Sequence, residues 1–139
     1  MGKGGGASVV GQQPIEMILL HQWASYMAIP IGVLDVEGNL IYYNEPAEPI
    51  VGERFDDVGE INASQFAELG EITDIDDTPI GEKELPVVIA LTEQRLAHRH
   101  LKFRGLDGQF HSMEVLAFPV IGQGGRLLGA VTVWEPDSE

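Results

Sequence analysis

Residues 96–134 constrain this chain more than any other stretch. Three strand-like runs, at about 96–104, 110–120 and 126–134, follow one another with turn formers between them. Asp107-Gly108 marks the first hairpin turn and Gly122-Gln123-Gly124-Gly125 the second. A second strand pair lies upstream. Residues 31–36 (IGVLDV) read as a strand, Glu37-Gly38-Asn39 as a turn, and Leu40-Ile41-Tyr42-Tyr43 as the returning strand. Strand pairs on either side of a helical insert predict an antiparallel sheet with helices on one face, an α+β fold.

The insert is read from its punctuation. Asn44 can cap a short helix over 45–51, which Pro46 and Pro49 keep short. The acidic stretch 53–81 is broken by Gly59, Gly70, Pro79 and Gly81, and holds one short helix near Ala63–Leu69, capped by Asn62 or Ser64. Lys83–Gln94 reads as the main interior helix, with Pro86 in its first turn; Val87, Val88, Ile89 and Leu91 make it more buried than amphipathic.

Ahead of the first strand, residues 14–30 form an amphipathic helical segment, with Pro14 suited to the first turn and Glu16 to the positive end. Ile15, Ile18, Leu19, Trp23, Tyr26 and Met27 recur at three- and four-residue spacing. Met17, Leu20 and Ala24 widen the stripe beyond what one contact face needs. The surplus predicts a homodimer interface built from Ile15, Ile18, Leu19, Trp23 and Tyr26. Residues 1–13 are glycine-rich and read as a flexible arm.

The chain has 139 residues, enough for one domain. With 22 acidic and 8 basic residues its formal charge is −14, which opposes nucleic acid and anionic membrane surfaces. There is no cysteine. Disulfides, thiolate catalysis and cysteine-ligated zinc are therefore excluded, and the composition fits a reducing cytoplasm. The apolar run Ile15–Ile31 is short for a membrane span and is interrupted by Glu16, His21, Gln22 and Pro30.

Several fragments, in order, resemble a PAS domain over about Ile31–Glu135, so that residues 31–136 form the expected domain. Ile31-Gly32-Val33-Leu34-Asp35-Val36-Glu37-Gly38-Asn39-Leu40-Ile41-Tyr42-Tyr43-Asn44 looks like the opening hairpin of that family, ending in its Asn. Asp76-Asp77-Thr78-Pro79-Ile80 and Glu84-Leu85-Pro86 look like the approach to its interior helix. Gly105-Leu106-Asp107-Gly108, Phe118-Pro119-Val120 and Leu128-Gly129-Ala130-Val131 look like its last three strands.

The resemblance implies a five-stranded antiparallel sheet cupping a small pocket under short helices. Such domains bind haem, flavins, small acids or lipids, or nothing, and usually regulate an attached kinase, cyclase or transcription unit. None of these outputs is present in this sequence, so the chain reads as a stand-alone sensor or a piece of a larger protein. A ligand-free interaction module is the alternative reading. No acid–base pair in an apolar pocket suggests an enzyme.

Strand alternation puts Ala97, Leu101 and Phe103 on one face of the first late strand. The resemblance places Met113, Val115 and Ala117 of the next strand toward the pocket, with Gly129, Val131 and Val133 of the last. It adds Phe66, Val88, Ile89 and Leu91 from the helices. Apolar walls of this kind suit a fatty or aromatic molecule. Arg99 interrupts the apolar face and can either anchor a carboxylate-bearing ligand or pair with an acid of the chain. Arg95, Arg99, Lys102 and Arg104 form a basic cluster, read as a docking patch or as a solvated strand edge.

His98 and His100 share a strand face about 7 Å apart. If Asp107-Gly108 is a two-residue turn, His111 pairs with Arg104, on the order of 13 Å from His100, too far for a shared metal. Haem-binding relatives that ligate through the interior helix need a histidine there; Lys83–Gln94 has none, leaving His21 as the candidate. The light-sensing flavin branch needs a cysteine near the ring, and the chain has none. Haem and flavin are therefore disfavoured and no metal is expected.

Overall fold

Six strands form one sheet in this computed structural model, which describes residues 14–63 and 71–138. The expected arm over 1–13, most of the helix near Ala63–Leu69, and Phe66 lie outside the described residues. The strands are β1 (Ile31–Leu34), β2 (Leu40–Tyr43), β3 (Glu71–Asp74), β4 (Ala97–Arg104), β5 (Phe110–Ile121) and β6 (Leu127–Pro136). Their spatial order is β2-β1-β6-β5-β4-β3, and every neighbouring pair is antiparallel. Among the described residues the α-helices are α1 (Ile15–Tyr26), α2 (Glu48–Val51), α3 (Phe55–Val58) and α4 (Pro86–Glu93).

Six strands, not five, correct the sequence reading. The extra one, β3, lies inside the acidic stretch expected to be loop and short helix. Its sequence, Glu-Ile-Thr-Asp, has one large apolar residue, Ile72, so no hydrophobic alternation marks it. It holds the sheet edge through partners on and near β4: Glu71 with Arg104, Asp74 with Arg99, and Asp77 beyond the strand with Lys102. Like most edge strands it is short and charged.

The β4–β5 turn also differs from expectation. Gly105 pairs with Gln109 around a three-residue loop, Leu106-Asp107-Gly108, in which Gly108 has φ +83°. The Asp107 carboxylate accepts the Gln109 N–H and fixes this loop. His111 consequently stands opposite Phe103, not Arg104. Helix α4 starts later than expected because Pro86 disfavours helical geometry at Leu85, which is extended (φ −71°, ψ 135°).

The sheet separates two apolar layers. On one face Leu34, Leu101, Phe103, Met113, Val115 and Trp134 pack with Tyr43, Ile50, Val51 and Ile61. Helix α4 lies against this face through Ala90, which meets Ala117 and Ala130; three small side chains let the helix approach closely. On the other face α1 buries Met17 and Ala24 against Ile31, Val33, Leu128 and Val131. The helix is thus apolar on two sides, with one side docked.

One side chain joins these layers. Asn44, at the end of β2, is fully buried. Its Oδ1 accepts the Ile31 N–H at 2.9 Å, and its Nδ2 donates to Ala24 O at 2.9 Å and Ile29 O at 2.8 Å. It stands at the start of the 3-10 turn Glu45–Ala47 but caps it with no side-chain bond, contrary to the capping role expected. The amide instead ties the end of α1, the connection after it, and the first residue of β1 to one point.

The far end of the sheet is held by charge. His100 Nε2 lies 2.9 Å from both carboxylate oxygens of Asp137, and its Nδ1 is 3.9 Å from Glu114. The bond to Asp137, helped by the nearby negative charge of Asp137, Glu114 and Asp74, raises the His100 pKa above its ordinary 6.5.

Two outcomes are expected. Asn44→Ala leaves three backbone groups without their side-chain partner and should cost about 2–4 kcal/mol. That is a fall in Tm of roughly 10 °C for a domain of this size. A loss under about 0.5 kcal/mol in denaturant titration would remove Asn44 from this role. For His100 the folded pKa exceeds the unfolded one, so the stabilisation is fully present below pH 6.5 and disappears as pH rises through the folded value. The Tm gap between wild type and His100→Gln should therefore be widest in mild acid and shrink with rising pH; a gap that does not change with pH contradicts it.

Candidate functional site

Between α4 and the sheet lies a cavity of about 660 Å³. The sheet supplies its floor: Leu34 of β1, Leu101 and Phe103 of β4, Met113 and Val115 of β5, and Thr132 and Trp134 of β6. Strand pairing sets this floor. Leu101 stands opposite Met113 and Val115 opposite Trp134, and directly opposed residues share a face.

Pro86, Val87, Val88 and Leu91 of α4 form the roof, with Leu85 just before it. Ile72 of β3 and Ile80 close one side. Val36, Glu37, Gly38, Ala63 and Glu82 stand around the remaining boundary.

The sequence reading expected α4 to be more buried than amphipathic, through Val87, Val88, Ile89 and Leu91. Only Pro86 and Ala90 are buried; Val87, Val88 and Leu91 are half-buried. They face the cavity instead of a filled core, since Ala90 is the contact that seats the helix on the sheet.

Of the residues expected around a ligand, Val88, Leu91, Leu101, Phe103, Met113 and Val115 all line this cavity. Val131 does not. It opposes Val33 and packs beneath α1, and the β6 residues on the cavity side are Ala130, Thr132 and Trp134. The assignment of Gly129, Val131 and Val133 to the pocket is thus displaced by one residue, which reverses the face. Ile89 turns to a separate shallow groove with Lys83, Arg95 and Arg99.

Arg99 is also outside the cavity. Its guanidinium bonds Asp74 at 2.9 Å and lies 3.6 Å from Glu84. The bond from Arg99, with the Ile75 N–H, holds the Asp74 carboxyl below the usual carboxylate range. The rest of the basic cluster is satisfied within the chain too: Arg95 pairs with Glu93 at 2.8 Å, Lys102 with Asp77, and Arg104 with Glu71 at 3.7 Å.

His21 stacks on Tyr42 with ring centroids 3.8 Å apart, and partial burial lowers its pKa. Tyr42 opposes Val33, on the α1 side of the sheet, so His21 cannot reach a group held in the cavity. His98 and His100 point to the same side as Leu116 and Glu114, away from the cavity. Among the described residues no three His, Cys, Asp or Glu side chains come together as a metal site.

The five α1 residues expected at an interface form its solvent side. Ile15, Ile18, Leu19, Trp23 and Tyr26 are 67%, 44%, 56%, 42% and 88% exposed. Among the described residues no helix is long and apolar enough to cross a membrane.

Sequence reasoning missed Thr132, Trp134, Ile72 and Ile80. For β6 a signal existed in the pairing: once Val115 faces the pocket, its partner must as well. For β3 the matching signs of 71–77 and 99–104 were the available clue.

No family model matches the sequence, and no curated protein matches it. Solved structures do. The PAS domain of a protein from Colwellia psychrerythraea is 18% identical with a TM-score of 0.60, over 88% of this chain and 97% of that one. The PAS domain of nitrogen regulation protein NR(II) from Vibrio parahaemolyticus is 18% identical with a TM-score of 0.60, over 86% and 98%. The Rhodobacter sphaeroides LOV protein is 11% identical with a TM-score of 0.64, over 90% and 68%. The strand order, the interior helix across the sheet and these likenesses agree: the chain folds as a PAS domain.

Proposed function

We propose that this chain is a non-enzymatic sensor module that regulates a partner, by taking a small molecule into the cavity under α4 and by pairing through α1. One observation carries the reading. The interior helix rests through Ala90 on two alanines of the sheet, Ala117 and Ala130, and leaves an apolar space of about 660 Å³ beside them. That volume lies within the roughly 300–1,000 Å³ of small-molecule sites. A ligand would touch both α4 and β6. β6 carries α1 on its opposite face through Leu128 and Val131. Occupancy that shifts β6 would therefore alter how α1 is presented.

The exposed side of α1 favours a second copy as its cover. Five large apolar side chains stand exposed on one short helix, and a two-fold axis would set this face against its own copy. Should the cavity prove empty in every state, this face supports the alternative reading, a ligand-free dimerisation module.

Native mass spectrometry of protein purified from its source should show an added small mass that is released on denaturation. Leu91→Trp, which puts a larger side chain into the cavity, should lose that mass while keeping its far-UV circular dichroism. A chain that carries no mass, and whose Tm does not move with any apolar probe, would overturn ligand sensing. Separately, sedimentation at tens of micromolar (a rough test range) should show a dimer that Leu19→Glu with Trp23→Glu dissociates. A wild-type monomer there removes the pairing.

A further inference from the structure

We infer that the cavity is built for an uncharged, predominantly apolar molecule and excludes carboxylates and phosphates. This rests on the sensor reading and sharpens it. Every ionisable group in the described lining is a carboxylate: Glu37, from the β1–β2 turn, and Glu82, from the 3-10 turn before α4. Neither Lys, Arg nor His is among the described lining residues.

Three described cations near α4 line a separate groove on its other side. Lys83, Arg95 and Arg99 line the shallow groove around Ile89, where Glu84 and Glu93 accompany them. Arg99 is held by Asp74 and Glu84, and Arg95 by Glu93. Moving Arg99 into the cavity would leave Asp74 without its partner.

The hydroxyls in the lining do not replace a cation. Thr92 donates to Val88 O at 2.7 Å and Thr132 to Leu116 O at 3.1 Å. Both protons are committed to backbone carbonyls. An anion entering this space would give up hydration, find no cationic side chain among the described lining residues, and sit beside two carboxylates on a chain of formal charge −14. An uncharged apolar molecule meets none of these costs and gains contact with Leu101, Phe103, Met113, Val115 and Trp134.

The test uses two probes with one ring system, N-phenylnaphthylamine and its sulfonated analogue anilinonaphthalene sulfonate. The chain has two tryptophans, so Trp23→Phe leaves Trp134, in the cavity floor, as the sole tryptophan reporter. The uncharged probe should quench Trp134 saturably, and the sulfonate should bind at least about tenfold more weakly. Glu37→Gln with Glu82→Gln should narrow the gap between the two. Equal or tighter binding of the sulfonate overturns the exclusion of anions while leaving a ligand pocket in place. If neither probe quenches Trp134, the cavity does not admit such molecules and the sensor reading fails with it.

Discussion

The amide of Asn44 is the contact on which the arrangement of the layers depends. A buried amide must satisfy its acceptor and both donors locally, and here each goes to a different backbone segment. The geometry is demanding because β1 must begin, α1 must end and β2 must finish within reach of one side chain. An apolar residue of similar size would fill the space and leave the Ile31 N–H, Ala24 O and Ile29 O without it. The register of β1 against β6 follows, since Ile31, set by Asn44, opposes Val133.

Close approach on the two faces of β6 is the second constraint, and small residues meet it. A side chain at Gly129 would collide with the Leu34 carbonyl and come within 2.8 Å of Met17 Cε. One at Gly32 would come within 2.9 Å of Leu40 and 3.0 Å of Thr132. On the cavity face Ala130 and Ala117 serve the same end beneath Ala90. The strand at the centre of the sheet therefore has α1 pressed against one side and α4 against the other, and movement at one side has little room to dissipate before reaching the other.

How far the sequence could be read follows from these contacts. The outer hairpins and the two main helices were legible because turn formers and periodic apolar residues are local signals. The lining contributed by β4 was legible too, since Leu101 and Phe103 alternate with polar neighbours, while Met113 and Val115 of β5 and Val88 and Leu91 of α4 followed from the resemblance. Strand β6 was not. Its run Leu-Leu-Gly-Ala-Val-Thr-Val-Trp is apolar on both faces because both are covered, so alternation has nothing to choose between. Strand β3 failed for the opposite reason: its place is set by charge pairing across sequence distances of about thirty residues, which no local pattern shows. Asn44 looked like a cap because its neighbours form a turn, whereas its side chain answers to Ala24, twenty residues away.

The same division explains why a cavity survives in so small a domain. Apolar side chains left to themselves close onto one another, and only a fixed frame prevents it. Here the roof is seated at Ala90, a contact that sets the height of α4 over the sheet and cannot fill the space beside it. The side formed by Ile72 and Ile80 packs against the edge of the core and is held to β4 by strand pairing and by ion pairs to Arg99, Lys102 and Arg104. These pairs are partly exposed and individually weak, and the strand pairing and the two isoleucines carry the rest of the attachment. On the other side of the cavity β6 meets α4 at Ala130 and α1 at Val131, so one strand sets the position of both helices.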